Sequence, residues 1–409
     1  MGGALLQLVA KGKQDAYLIG NPKMTYFKNI YVSHTNFSME SIRVDFNEQP
    51  NFGRKFSAFI PKKGDLLNKI VLELNLPQIT SATLGPIGWT KGIGHHIIEY
   101  IELRIGGELF DRVSGDVIDV YSELTTPIGH FNAYNAMVSR PSGAPTTDTK
   151  GPLKMFIPLP FWFCNDISRA LPLISLQYSE VQITFKFREF SELWFTTRDI
   201  GITQGSPAST LSVSGAHLFC DYIFLDEYER KKFAEAKELE YLIEQFQIND
   251  NIEVSDGQTA LVSNLHFNHC VKELIWFYQS KHNLDANEIG TYGYYISPDF
   301  TNVNKPFEQV ELKLNNQDRI SKRSIEYFRL VQPYYHHTNG TNDFIYVYSF
   351  ALNPEQLQPS GTCNFSKIDN VNMVFTLPST ILQGYITVFG INYNIMKIKN
   401  GMAGLMFSS

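Results

Sequence analysis

Two adjacent-histidine pairs, His95-His96 and His336-His337, and the run "HFNHC" (266–270) are the side chains best equipped for chemistry in this 409-residue chain. A strand that holds a metal favours His-x-His, because only alternate residues share a face. Neither pair has that spacing, and on a strand each would send one imidazole to either side. In "HFNHC", His266 and Cys270 would share a face while His269 points away, so three-ligand geometry fails. Asp299, Asp318, Asp343 and Asp369 stand near turns, where Asp caps or turns the chain. No phosphate loop, Gly-x-Ser-x-Gly elbow or His-Glu-x-x-His occurs. The residues therefore predict no catalytic site, no metal and no cofactor. Three Asn-x-Ser/Thr sequons, at Asn36, Asn339 and Asn364, are candidate glycosylation sites for a chain that meets the secretory machinery. Of these, Asn339 in "HHTNGTND" is the most plausible acceptor, and a plain glycine turn is the alternative.

Composition narrows the function classes. Aromatics at 13% and hydrophobics at 43% exclude a disordered chain. A net charge of −6 provides no global field for nucleic acid, so no direct nucleic-acid partner is expected. Residues 1–28 are locally basic, with Lys11, Lys13, Lys23 and Lys28 against Asp15. That end is read either as solvated or as an arm touching an acidic or membrane-bound partner. Cys164, Cys220, Cys270 and Cys363 are scattered without a Cys-x-x-Cys pair, which predicts buried free thiols and a reducing compartment. The opening "MGGALLQLVA" is too short to span a bilayer and lacks the Ser or Thr of a myristoylation pattern.

Period-2 patterning dominates the chain. Ile70, Leu72, Leu74 and Leu76 share one face of "KIVLELNLP"; Ile183, Phe185 and Phe187 share one face of "QITFKF". In "YITVFGINYNI", Tyr385, Thr387, Phe389, Ile391 and Tyr393 fall together. Such strands belong to antiparallel sheets with one face on a core. Helical signals are short, "GDVIDVYSEL" (115–124) and the charged connector "DEYERKKFAEAK" (226–237). An internal echo joins "IELRIGGELFDRVSGDVIDVY" (101–121) to "VELKLNNQDRISKRSIEYF" (310–328), at an offset of 209 that becomes 207 after a two-residue gap. The echo predicts a duplicated sandwich of the jelly-roll type, all-β, with short helices at the joints. Segments 127–151, 190–211 and 280–306 read as long loops. The aromatic block Phe161-Trp162-Phe163 is expected to fill one end of the first sandwich.

"GNPKMTYFKNIYVSHTNFSMESI" (20–42), "LPFWFCNDISRALPLISLQYSEV" (159–181) and "YIFLDEYERKKFAEAKELEYLIEQFQ" (222–247) resemble the major capsid proteins of the nucleocytoplasmic large DNA viruses. So do "FNHCVKELIW" (267–276), "PSGTCNFSKIDN" (359–370) and "INYNIMKIKNGMAGLMFSS" (391–409). The family often has His-Pro at His269-Cys270 and Asn-Gly at Asn315-Asn316. The resemblance implies a double jelly roll of two tandem eight-stranded sandwiches. Its expected limits are an arm at 1–25, a first sandwich at 26–225, a linker at 226–239 and a second sandwich at 240–409. It also implies a non-enzymatic structural protein of the virion shell, assembled in the host cytoplasm as a homotrimeric, pseudo-hexagonal capsomer. Implied partners are neighbouring capsomers, minor capsid proteins and, through the N-terminal arm, an internal membrane. A minor or vertex-associated double jelly-roll capsid protein, and a β-sandwich glycan-binding protein, are the alternatives.

Overall fold

The computed structural model describes residues 2–29, 31–80, 87–140, 149–196, 211–287, 289–295, 303–340 and 343–407. Asp299 and parts of the three long segments, at 141–148, 197–210 and 296–302, lie outside them. Residues 1–36 form a unit of their own. It holds helix α1 (Gly2–Val9), with Leu5, Leu6, Leu8 and Val9, and helix α2 (Asp15–Ile19).

The second unit, Phe37–Ser409, contains both sandwiches. The first uses β1 (Phe37–Val44), β2 (Lys55–Ile60), β3 (Leu66–Leu76), β4 (Ile98–Ile105), β5 (Glu108–Ser114), β6 (Leu153–Pro158), β7 (Val181–Phe187) and β8 (Gly215–Leu225). They pair antiparallel as two sheets, β1-β8-β3-β6 and β2-β7-β4-β5. The second uses β9 (Glu238–Val254), β10 (Ala260–Asn264), β11 (Cys270–Ser280), β12 (Gln309–Leu314), β13 (Gln317–Ser324), β14 (Tyr346–Ser349), β15 (Val371–Thr376) and β16 (Gly384–Lys399). Its sheets are β9-β16-β11-β14 and β10-β15-β12-β13, the former extended by Cys363–Asn364 and Met402–Leu405. Adding eight to every label of the first sandwich reproduces the strand order of the second. The fold is a double jelly roll.

The echo falls on equivalent hairpins. Gly106 and Gly107 turn β4 into β5 with φ of 62° and 86°, and Asn315 and Asn316 turn β12 into β13 with φ of 48° and 63°. Two consecutive left-handed residues give the tight turn whose twist matches paired strands, and Gly and Asn adopt it most readily. The offset stays at 209 through the turns and reaches 210 at Ser114 and Ser324, so the gap to 207 read from sequence is not kept. Paired Asp-Arg letters drew that alignment, whereas hydrogen-bond register decides the real one.

Most alternating strands bury the expected face. Ile70, Leu72, Leu74, Leu76, Ile183, Phe185 and Phe187 are all buried, each contributing about 1.5–3 kcal/mol. The strand β16 differs, because Ile386 and Val388, opposite Phe389 and Ile391, are buried as well. Helices fill the joints. His95 and His96 lie on α3 (Ile93–His96), not on a strand, because Gly92 at φ 64° turns the chain into a helix. Helix α4 (Gly115–Thr125) follows, capped by the Ser114 hydroxyl accepting from the Val117 N–H. Segment 127–151, read as a loop, contains α5 (Ile128–Met137), which buries no apolar stripe and so left no periodic signal. Phe161, Trp162 and Phe163, partly on α6 (Trp162–Asn165), are fully buried in the first core. The charged connector forms α7 (Glu227–Glu235), capped by Asp226. The remaining two long segments also carry structure, namely strand Trp194–Thr196, helix α8 (Lys281–Asp285) and the pair Tyr294–Tyr295 with Val303–Asn304. After β13 a π-turn, Tyr327–Val331, runs into α9 (Gln332–His336).

Gly115 sits where α4 meets α3: a Cβ there would lie 2.2 Å from the carbonyl oxygens of both His95 and Ile98. Gly115→Ala is therefore expected to cost about 2–4 kcal/mol in urea denaturation, as overpacking against fixed backbone. Gly129→Ala, in α5 with nothing near its Cβ, is expected to stabilise by up to ~1 kcal/mol through helix propensity. Equal effects at the two positions would contradict the close approach of α3 and α4.

Candidate functional site

The side chains that could do chemistry are gathered at the junction of the two sandwiches, and they are sealed. Asp119 on α4 is the hub. Its carboxylate accepts from His95 Nδ1 at 2.8 Å, from the Arg140 guanidinium and from the Tyr292 hydroxyl of the second sandwich at 2.8 Å. His96 Nε2 approaches it at 3.5 Å, while His96 Nδ1 donates to Asp116 at 2.8 Å, and Arg188 donates to Asp116 at 2.7 Å. His95, His96, Asp119 and Tyr292 are all buried.

Charge follows from these partners. Burial pushes the Asp119 carboxyl up, but Arg140, His95 and His96 outweigh it and hold it well below the usual carboxylate range. Burial lowers His95 despite its bond to Asp119, so it is neutral; with Nδ1 donating, Nε2 accepts from the Tyr134 hydroxyl at 2.8 Å. Burial also opposes a charge on His96, yet two flanking carboxylates raise its pKa above the ordinary value.

A second buried set lies on the same junction. Lys272 on β11 pairs with Glu244 on β9 at 3.1 Å, and Arg169 of the first sandwich reaches the same Glu244 oxygen at 3.2 Å. Beside them His337 stands between Glu273 at 3.1 Å and Glu355 at 2.8 Å. Burial disfavours its charge, but the two carboxylates raise it to about 9. Backbone bonds close the seam: the Phe246 N–H donates to Asp111 at 3.1 Å, the Tyr178 N–H to Gly401 O at 2.9 Å, and the Asn339 side-chain amide to Glu123 O at 3.0 Å. Asp111 keeps one buried oxygen without a hydrogen bond, and burial, only partly offset by the Phe246 and Arg112 N–H groups, raises it to about 7.

Apolar packing surrounds these ions. Ile275, Phe277, Ile345, Val347, Phe389 and Ile391 of the second sandwich belong to the core of the first. Their alternate neighbours Leu274, Trp276, Tyr278, Tyr346, Tyr348, Ile386 and Val388 form the core of the second. The sheet β9-β16-β11-β14 is thus buried on both faces. Chemically the arrangement can clamp two sandwiches; a nucleophile with an approach for substrate is not among its parts. Sequence reading missed this joint because Asp116, Asp119, Arg140 and Tyr292 meet only in the fold; the one available signal was "GDVIDV", which places two acids on a helix.

The remaining sequence candidates do not converge. His266 and His269 lie in a loop before β11, not on a strand; His269 has φ 63° and its N–H donates to Ser366 Oγ at 2.8 Å. Asp318 and Asp343 instead pair with Lys313 at 3.7 Å and Lys91 at 3.1 Å. Among the described residues no group of three or more His, Cys, Asp and Glu is placed to hold a metal. All four cysteines are free; Cys220 is buried and the others half-buried. An open cleft of about 510 Å³ has Lys62, Lys63, Asp65 and Arg230 on its walls, with Asp65 and Arg230 paired at 3.0 Å.

Replacing Asp119 with Ala strands Arg140 and His96 in the seam. The expected loss is about 3–5 kcal/mol in urea denaturation, and a loss below ~1 kcal/mol would show the seam to be wet. Asp111 works in the opposite sense. Its folded pKa is raised, so the stability of its protonated form is full below the unfolded value and is lost as pH rises through about 7. Asp111→Asn should therefore match the parent near pH 4 and exceed it by ~2–4 kcal/mol at pH 8, measured as paired denaturation curves.

Comparison with known proteins accounts for two sandwiches clamped face to face. The family model described as "Major capsid protein N-terminus" matches residues 25–226, and that described as "Large eukaryotic DNA virus major capsid protein" matches residues 229–404. The chain is 38% identical over 435 residues to the major capsid protein of Pyramimonas orientalis virus, covering 100% of each. The capsid protein in a quasi-atomic model of the PBCV-1 virus capsid superposes with a TM-score of 0.80 at 30% identity, over 94% of this chain and 100% of that one. The Faustovirus major capsid protein, at 12% identity, shares the fold with a TM-score of 0.78 over 97% of this chain and 96% of its own. Sealed charge, duplicated sandwiches and these matches agree, and the chain belongs to the major capsid protein family of large eukaryotic DNA viruses, as a component of the virion shell.

Proposed function

We propose that the protein acts by assembly alone, without turnover, and that three copies close into one pseudo-hexagonal capsomer. The observation that carries this reading is the repeat of one strand order in two sandwiches joined through a buried, ion-clamped seam. Two sandwiches per chain supply two of six corners, and rotational closure of a head-to-tail contact then needs three chains. The proposed domain limits are an arm at 1–25, sandwiches at 26–225 and 240–409, and a linker at 226–239. The sheets favour this, because every strand of the first pair of sheets ends by Leu225 and every strand of the second pair begins at or after Glu238. Neighbouring capsomers and minor capsid proteins are the further partners of this reading.

The arm is assigned to an inner surface, either the membrane or a minor capsid protein. Leu5, Leu6, Leu8 and Val9 on α1, followed by Lys11 and Lys13, join an apolar stretch to positive charge, which suits an anionic interface. Among the sequons the sugar is assigned to Asn364, which is exposed and whose side-chain oxygen accepts from the Ser366 N–H. Asn339 donates its side-chain nitrogen to Glu123 O, and Asn36 ends the N-terminal unit.

Sedimentation velocity of the purified chain at micromolar concentration should give a species of three times 46.7 kDa, about 140 kDa. A folded monomer there would refute the trimer. Removing residues 2–20 should leave that species intact and impair closed-shell formation; loss of the trimer would instead move the arm into the subunit contact.

A further inference from the structure

The hairpins at Gly106-Gly107 and Asn315-Asn316 each turn on two consecutive left-handed residues, and a third turn does so with different letters. Asn400 and Gly401, with φ of 53° and 78°, lead β16 into the terminal strand Met402–Leu405, where Lys399 pairs with Met402. Asn-Gly is the pair such a turn selects most strongly, because both residues enter the left-handed region at little steric cost. It is also the pair whose side chain is most easily attacked by its own backbone, since a glycine nitrogen has no neighbouring Cβ in the way. The turn thus places a chemically labile dipeptide at this corner.

The strand beyond the corner reaches across to the first sandwich. The Tyr178 N–H donates to Gly401 O at 2.9 Å, the Ala403 N–H to Ser179 Oγ at 3.0 Å, and the Leu405 N–H to Glu108 Oε2 at 3.2 Å. Ala403 and Leu405 also pack against the core of the first sandwich. The fit is close: a Cβ on Gly401 would lie 2.9 Å from the Tyr178 ring and 3.0 Å from Gln177 Cβ. Residues 401–405 therefore form a strap between the sandwiches, and the turn sets the spacing of its hydrogen bonds.

The sequence holds one other Asn-Gly pair, Asn339-Gly340. There the side-chain amide is held on Glu123 O and the Asn339 N–H on Leu124 O, both at 3.0 Å, which fixes the amide in place. Asn400 is exposed, and among the described residues no hydrogen bond holds its side chain or the Gly401 N–H.

We infer that Asn400 is a site of spontaneous deamidation and that the reaction releases the strap. The Gly401 nitrogen attacks Asn400 Cγ, a C–N bond closes a succinimide ring, and the side-chain nitrogen leaves as ammonia, taking up the glycine amide proton. Water then opens the ring at either carbonyl, to aspartate or to isoaspartate, and no other reactant is consumed. Isoaspartate routes the main chain through the former side-chain carbon and lengthens it by one atom. Gly401 O and the Ala403 and Leu405 N–H groups then no longer meet Tyr178, Ser179 and Glu108 together. Chains already built into a shell are not replaced, so the loosened fraction rises with the age of a particle.

Ageing the purified protein, warm and at mildly alkaline pH, tests this. Peptide mass spectrometry should show amide-to-acid conversion at Asn400, mostly as isoaspartate, with Asn339 intact. In the converted fraction, amide hydrogen exchange at Tyr178, Ala403 and Leu405 should speed up about tenfold or more, because local opening sets the exchange rate. Asn400→Gly keeps a residue suited to the left-handed turn and has no side-chain amide to lose, so its exchange should not change with age. If that variant does not fold, the parent held at mildly acidic pH, where the glycine nitrogen is rarely deprotonated, serves as the same control. No conversion at Asn400, or faster conversion at the clamped Asn339, overturns the site. Conversion without faster exchange, or equal loosening in the aged control, overturns the release of the strap.

Discussion

A four-stranded sheet with two apolar faces cannot stand in water on either side, and β9-β16-β11-β14 is such a sheet. Its inner face is covered by β10-β15-β12-β13, as in any sandwich. Its outer face, with Ile275, Phe277, Phe389 and Ile391, is covered only because the first sandwich lies across it. At ~25 cal/mol per Å² of buried apolar surface, this cover is the dominant force holding the halves together. It is also why the core of the first sandwich runs on into the outer face of this sheet, while the inner face keeps a core of its own.

Ions placed within that cover add direction. Burying Asp119, Asp116, Glu244 and Glu273 costs several kcal/mol each unless every one finds a cation or donor, and each does: Arg140 with the two histidines, Arg188, Lys272 with Arg169, and His337. A greasy face alone tolerates sliding by a residue or more. A carboxylate that must meet Tyr292 from one side and Arg140 from another tolerates only one register. The ionic seam thus adds orientation to an attraction that has none.

The residues by themselves determined the alternating strands, the Gly106-Gly107 and Asn315-Asn316 turns, the Asp226-capped connector and the buried Phe161-Trp162-Phe163 block. Each of these is local, set by period, turn chemistry or capping within a few positions. His95-His96 carries no sign of its helix because four residues have no period to detect, and α5 carries none because it buries no stripe. The pairing register of β12 with β13, the doubly buried β16 and the Asp119 hub were decided only by tertiary structure. Asp119 and Tyr292 are 173 positions apart, and no local pattern records a partner that arrives from another sandwich. Local rules shape strands and turns; which faces meet is a property of the assembled chain, where desolvation makes every unpaired charge or bare apolar face costly.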